Sequence, residues 1–202
     1  MRRKTFDALL TTGGLALAAV LAIAGTLGLW AHHFADKNVH NQLAAQQIFF
    51  PTKAEFAAAK PGTEITPEMV PYLEKYAGQQ LTTGAQAEAY ADHFIANHLA
   101  AMPLGGVYAK VSAASRANPS DTALAAEVDT SFKGTTLRGL LLEAYGYSKM
   151  GQIAYVAAVV SFIAAGVMLL LSALGFRHLR RVSPEAEVLP KLGSRTPAPV
   201  ER

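Results

Sequence analysis

The run from Ile153 to Phe176 constrains this chain more than any other stretch: 24 residues carry no charge and end abruptly at Arg177, His178, Arg180 and Arg181. At about 1.5 Å of rise per residue, a helix of that length crosses a hydrocarbon core roughly 30 Å thick. A second uncharged run of 23 residues, Ala8 to Trp30, follows Arg2, Arg3 and Lys4 and closes on an aromatic ring suited to the outer headgroup belt. The sequence therefore predicts two transmembrane helices, 8–30 and 153–176. A positive start before an apolar run also describes a cleaved signal peptide, but signal h-regions are only about 7–15 residues and lead to a small-x-small site. This run is longer and leaves through Leu29 and Trp30, which favours an uncleaved signal anchor.

Charge then orients the spans. The formal net charge of +3 divides into +2 over residues 1–7, −2 over 8–176 and +3 over 177–202. Arg and Lys beside a span are retained on the cytoplasmic side, so both termini are expected in the cytoplasm and the middle is expected to be exported. The partition yields a cytoplasmic tail at 1–7, an extracytoplasmic segment at 31–152 and a disordered cytoplasmic tail at 177–202 with Pro184, Pro190, Pro197 and Pro199. No basic stripe on a folded face is left for nucleic acid. The chain has no cysteine, which removes disulfides, thiolate catalysis and Cys-ligated metals.

Inside the spans, small residues recur every four positions, as Gly14, Ala18, Ala22 and Thr26 in the first and Ala157, Ser161 and Ala165 in the second. Such faces let helices approach closely in lipid, although an Ala-rich span also produces the spacing by chance. Neither span holds an ionisable side chain in its interior, which disfavours an ion or proton path.

The segment between the spans reads as all-α, because alternation is rare and alanine frequent. The helix after Trp30 is expected to run to Phe49-Phe50-Pro51, where the residue before proline resists the α conformation. Residues 52–66 read as a loop with a short helical turn, and Tyr72 to Leu81 as helix-compatible. Thr83-Gly84-Ala85-Gln86 fits a capping box and opens a helix from about Gly84 to Ala101. Its Ala87, Tyr90, Ala91, Phe94, Ile95 and His98 make one buried face. Val107 to Ser115 suits a short helix, Asn118-Pro119 suits the start of another reaching Phe132, and Gly134-Thr135 reads as a break. Residues 136–150 either lie on the bilayer surface or run straight into the last span.

Few residues suggest chemistry. His33, Asp36 and His40 fall along one side of a helix and could supply metal donors. The outer two are two turns apart, about 10 Å, which is too far for both rings to reach one ion. His93 and His98 lie on divergent faces, and Glu88 and Asp92 suit an exposed face. There is no Gly-x-Ser-x-Gly elbow, phosphate-binding glycine loop or His-Glu-x-x-His pattern. These features imply no cofactor and no catalytic set.

The blocks HNQLAAQQIFFP at 40–51, PYLEKYAGQQLTTGAQAEAYADHFIANHL at 71–99 and LRGLLLEAYGYSKMGQIA at 137–154 resemble a family of small two-span bacterial membrane proteins of unknown function. Members often carry an automatic label as a small subunit of an aromatic ring-opening dioxygenase. Two uncharged spans and an exported cysteine-free segment give no reason to expect that soluble subunit, and the resemblance implies no catalytic residues. The resulting expectation is a non-enzymatic protein of the bacterial plasma membrane. Its partners would be the bilayer and either another membrane protein or further copies of itself, met through Gly14, Ala18, Ala22, Ala157, Ser161 and Ala165. The alternative is an extracytoplasmic module binding a lipid, a small apolar molecule or a metal, in a pocket lined by Tyr72, Tyr90 and Phe94. An enzyme would need His93 or His98 to converge with Glu88, Asp92 or another carboxylate in an open cleft.

Overall fold

The computed structural model describes residues 3–183 and is all-α, with one isolated bridge between Phe49 and Gln80. The helices are α1 Arg3–Ala45, α2 Lys53–Ala57, α3 Val70–Leu73, α4 Gly84–Ala89, α5 Ala96–Ala101, α6 Tyr108–Ala117 and α7 Thr122–Leu179. A π-turn at Tyr90–Ile95 joins α4 to α5. Both α1 and α7 are long and apolar enough to cross a membrane, with mean hydropathy of 2.0 and 2.5 in their most apolar windows. Only 17% and 11% of those windows is buried, so the apolar side chains mostly face outward. The chain divides into two compact units, residues 3–29 with 156–183 and residues 30–155.

In the first unit α1 and α7 pair antiparallel. A Cβ placed on Gly14 would stand 2.8 Å from Ser172 Oγ, one on Gly25 would stand 2.9 Å from the Phe162 ring, and one on Gly175 would strike Thr11. The buried positions are Thr11, Ala18 and Gly25 on one helix and Ala158, Ala165 and Ser172 on the other. Each set repeats every seven residues. A seven-residue repeat keeps one seam facing a partner helix, and small residues on that seam bring the backbones close. The expected spacing of four does not describe this contact. A step of four overshoots one α-helical turn by about 40°, so a row of such steps winds off the face. Gly14, Ala18 and Ala165 lie at the seam, Ala22 and Ser161 are half-buried beside it, and Thr26 and Ala157 are exposed. The two hydroxyls in the set turn back on their own helix, Thr26 donating to the Ala22 carbonyl at 2.9 Å and Ser161 to the Ala157 carbonyl at 2.8 Å. Each such bond satisfies the hydroxyl within its own helix.

The second unit has its own core, with Phe50, Phe56, Met69, Leu73, Leu81, Ala87, Ile95 and Leu141 packed together. Helix α1 stops at Ala45, five residues before the expected end, because Gln47 turns into the left-handed region at φ 53°. Phe49 and Phe50 are then extended, and Phe50 donates its N–H to the Gln79 carbonyl at 2.9 Å. The stretch expected as helix from Tyr72 to Leu81 is helical only to Tyr76, and Gly78 at φ 70° carries the chain back to that pairing. Thr83 and Gln86 form the expected capping box, and Thr52 with Glu55 forms a second one that opens α2.

The largest departure is α7. Asp121, rather than Asn118, caps it by accepting the Leu124 N–H at 2.9 Å, and the helix then runs 58 residues through Gly134 without a break. Gly134 is there because Leu99 lies across it, where a Cβ would meet Leu99 Cδ2 at 2.8 Å. Residues 136–150 continue straight into the apolar run, and Arg177 and His178 are still helical. The expected tail beyond Ser183 lies outside the described residues.

Candidate functional site

The polar and aromatic side chains of the second unit gather around the π-turn. A π-turn closes i to i+5 bonds, widens the helix locally and is found mostly at functional positions. Here it places Ala91 and Ile95 in the core and Asp92 and His93 outside it. The Arg138 guanidinium of α7 donates to the Asp92 carboxylate at 2.6 Å, with the two side chains 40% and 37% exposed. An ion pair that open to water contributes no more than about 1 kcal/mol. Arg138 Nε is buried and has no hydrogen-bond partner among the described residues. One turn back, a hydrogen bond between the Tyr145 hydroxyl and the Glu88 carboxylate holds the Tyr145 phenol above its ordinary pKa.

The histidines do not converge with these carboxylates. His93 stacks flat on Tyr72, with ring centroids 3.6 Å apart and planes 4° from parallel. His98 donates from Nδ1 to the Phe94 carbonyl at 2.7 Å and lies against the Phe94 ring. Tyr90 stacks on Phe94 at 4.5 Å and meets Phe50 edge-on at 5.5 Å. Of the rings expected to line a pocket, Tyr90 and Phe94 therefore pack against each other, and Tyr72 packs against His93. Burial, with the Glu64 carboxylate adding to it, pushes the Tyr90 phenol above its ordinary value.

His33, Asp36 and His40 are exposed, and no three His, Asp or Glu residues among those described are placed to hold a metal ion. Their neighbour His32 is the engaged one. It donates from Nδ1 to the Gly151 carbonyl at 3.1 Å and packs against Tyr155. Pairings such as Asp92 with Arg138 are 46 positions apart and leave no local signature.

Two concavities flank this region. One of about 290 Å³ is bordered by Leu99, Gly106, Tyr108 and Arg138. The other, about 370 Å³, lies between α1 and α7, with Val39, Leu43, Leu137 and Leu141 as its floor and Asn38, Gln42, Gln46 and Glu143 as its rim. Leu140 stands beside it 58% exposed, and Gln42 donates to Asn38 across one turn at 2.7 Å. An apolar floor between two helices with an amide rim is the form that accepts an amphipathic helix. Comparison with protein-family models, curated proteins and solved structures gives no match to the chain.

Proposed function

We propose that the chain is a non-enzymatic integral membrane protein of the bacterial plasma membrane, with both termini cytoplasmic and residues 31–152 outside. It acts as an accessory subunit of a larger membrane or envelope complex, or as a scaffold of its own copies. The observation that carries this is the groove between α1 and α7 in the second unit, whose apolar floor and exposed Leu140 suit a partner helix. The small-residue seam supports a narrower version, since Gly14, Ala18 and Ala165 meet within one chain and leave the groove as the surface for association. The resemblance to small two-span bacterial membrane proteins belongs to the same reading. The alternative of a ligand-binding module finds less support, because Tyr72, Tyr90 and Phe94 stack on other rings.

The test is the mass of the intact complex, purified in mild detergent, for the wild type and for Leu140→Asp. Leu140 is exposed, so the substitution leaves the fold alone and is expected to release the partner or second copy. A wild-type chain that runs as a strict monomer with nothing bound would sink the proposal.

A further inference from the structure

A third concavity, of about 590 Å³, opens on the first unit between the start of α1 and the end of α7. Its walls are Leu10, Leu17, Met168 and Leu171, and Gly13 adds no side chain to it. Gly13 has nothing within 4 Å of where its Cβ would be, so the space beside it is open. Ser172 borders the groove and is only 4% exposed, and its hydroxyl has no hydrogen-bond partner among the described residues. A buried hydroxyl with an unspent donor is costly in an apolar medium, and more so where no water arrives.

Charge is concentrated at the same end. Residues 3–11 and 172–183 carry five basic side chains, Arg3, Lys4, Arg177, Arg180 and Arg181, against the single acid Asp7. Asp7 Oδ2 is 3.9 Å from Arg3 Nε and 3.7 Å from His178 Nε2, and it is buried with no hydrogen-bond partner among the described residues. Net positive charge on the helix ends that carry an apolar groove matches an amphiphile with an anionic head and a hydrocarbon tail. Ser172 lies five residues inside Arg177, about 7 Å along the helix. In a glycerophospholipid the ester carbonyls sit just inside the phosphate, and they are acceptors that could take the free hydroxyl.

We propose that this groove binds one anionic phospholipid, with an acyl chain along Gly13, an ester carbonyl near Ser172 and the phosphate among the basic side chains. The inference rests on the two-span membrane reading and adds a specific ligand to it.

Native mass spectrometry of the full chain in non-ionic detergent, titrated with phosphatidylglycerol or phosphatidylcholine, tests it. One phosphatidylglycerol adduct is expected at a concentration about tenfold below that needed for phosphatidylcholine, since only the phosphatidylglycerol head carries a net negative charge for the basic side chains to meet. Gly13→Phe fills open space, so it should abolish the adduct while leaving the helical circular dichroism unchanged. Arg177→Gln with Arg180→Gln should equalise the two lipids. Retention of the adduct by Gly13→Phe, or equal binding of the two lipids by the wild type, would overturn the proposal. So would a Gly13→Cys chain that oxidises to a covalent dimer, because a second copy would then occupy the groove. A chain that stays in solution without detergent would overturn the membrane reading itself, whereas a detergent-dependent chain with no adduct overturns only the lipid site.

Discussion

Tyr90 shows what one side chain contributes and how to measure it. Its phenol is held above the ordinary value by burial and by Glu64, so the folded chain keeps that proton more tightly than the unfolded one. The stabilisation is complete below the unfolded tyrosine value of about 10 and is lost as pH rises through the folded value. Thermal melts of the wild type should therefore drop steeply above that pH, and Tyr90→Phe should flatten the drop while leaving the melt at neutral pH little changed. Thr83 is a local case. Its hydroxyl accepts the Gln86 N–H at 3.3 Å and the Gln86 amide oxygen accepts the Thr83 N–H at 3.0 Å, so Thr83→Ala should cost about 1 kcal/mol of stability by chemical denaturation. That box was legible in the sequence because its partners are three residues apart. The Tyr72–His93 stack was not, because its members are brought together by the fold and each alone looks like an ordinary exposed ring.

Among the elements, the two long apolar helices show how a correct ingredient list leads to an incorrect register. Small residues were visible in both runs, but a fixed step of four selected Ala157 over Ala158 and missed Thr11, Gly25 and Ser172. The seam follows the seven-residue period that antiparallel helices impose on each other. Ala165→Leu, at a buried seam position, should overpack the pair and destabilise it by about 1–3 kcal/mol. Leu170→Ala, on an outward face, should change it by no more than about 0.5 kcal/mol. Unfolding of the helical signal by sodium dodecyl sulfate in mixed micelles reads both. Gly134 misleads in the opposite sense. Glycine is a reasonable sign of a break when no neighbour is known, yet here its bare backbone admits Leu99 and the helix continues.

For the whole molecule, length, hydropathy and charge pointed to an all-α chain with two apolar helices, and these are properties that survive averaging over position. The groove between α1 and α7 was not legible, since it depends on which residues of two distant helices stand opposite each other. Sidedness has a direct test because the chain has no cysteine of its own. Lys37→Cys should react with a membrane-impermeant maleimide on intact cells, and Gly193→Cys should react only after permeabilisation. The antiparallel seam also has a timetable. Its first half, Thr11, Ala18 and Gly25, is translated about 140 residues ahead of Ala158, Ala165 and Ser172. At roughly 5–20 residues per second that is a wait of about 7–28 s. For that interval the nascent first helix carries an open, glycine-lined face with no mate from its own chain, and anything else in the vicinity competes for it first.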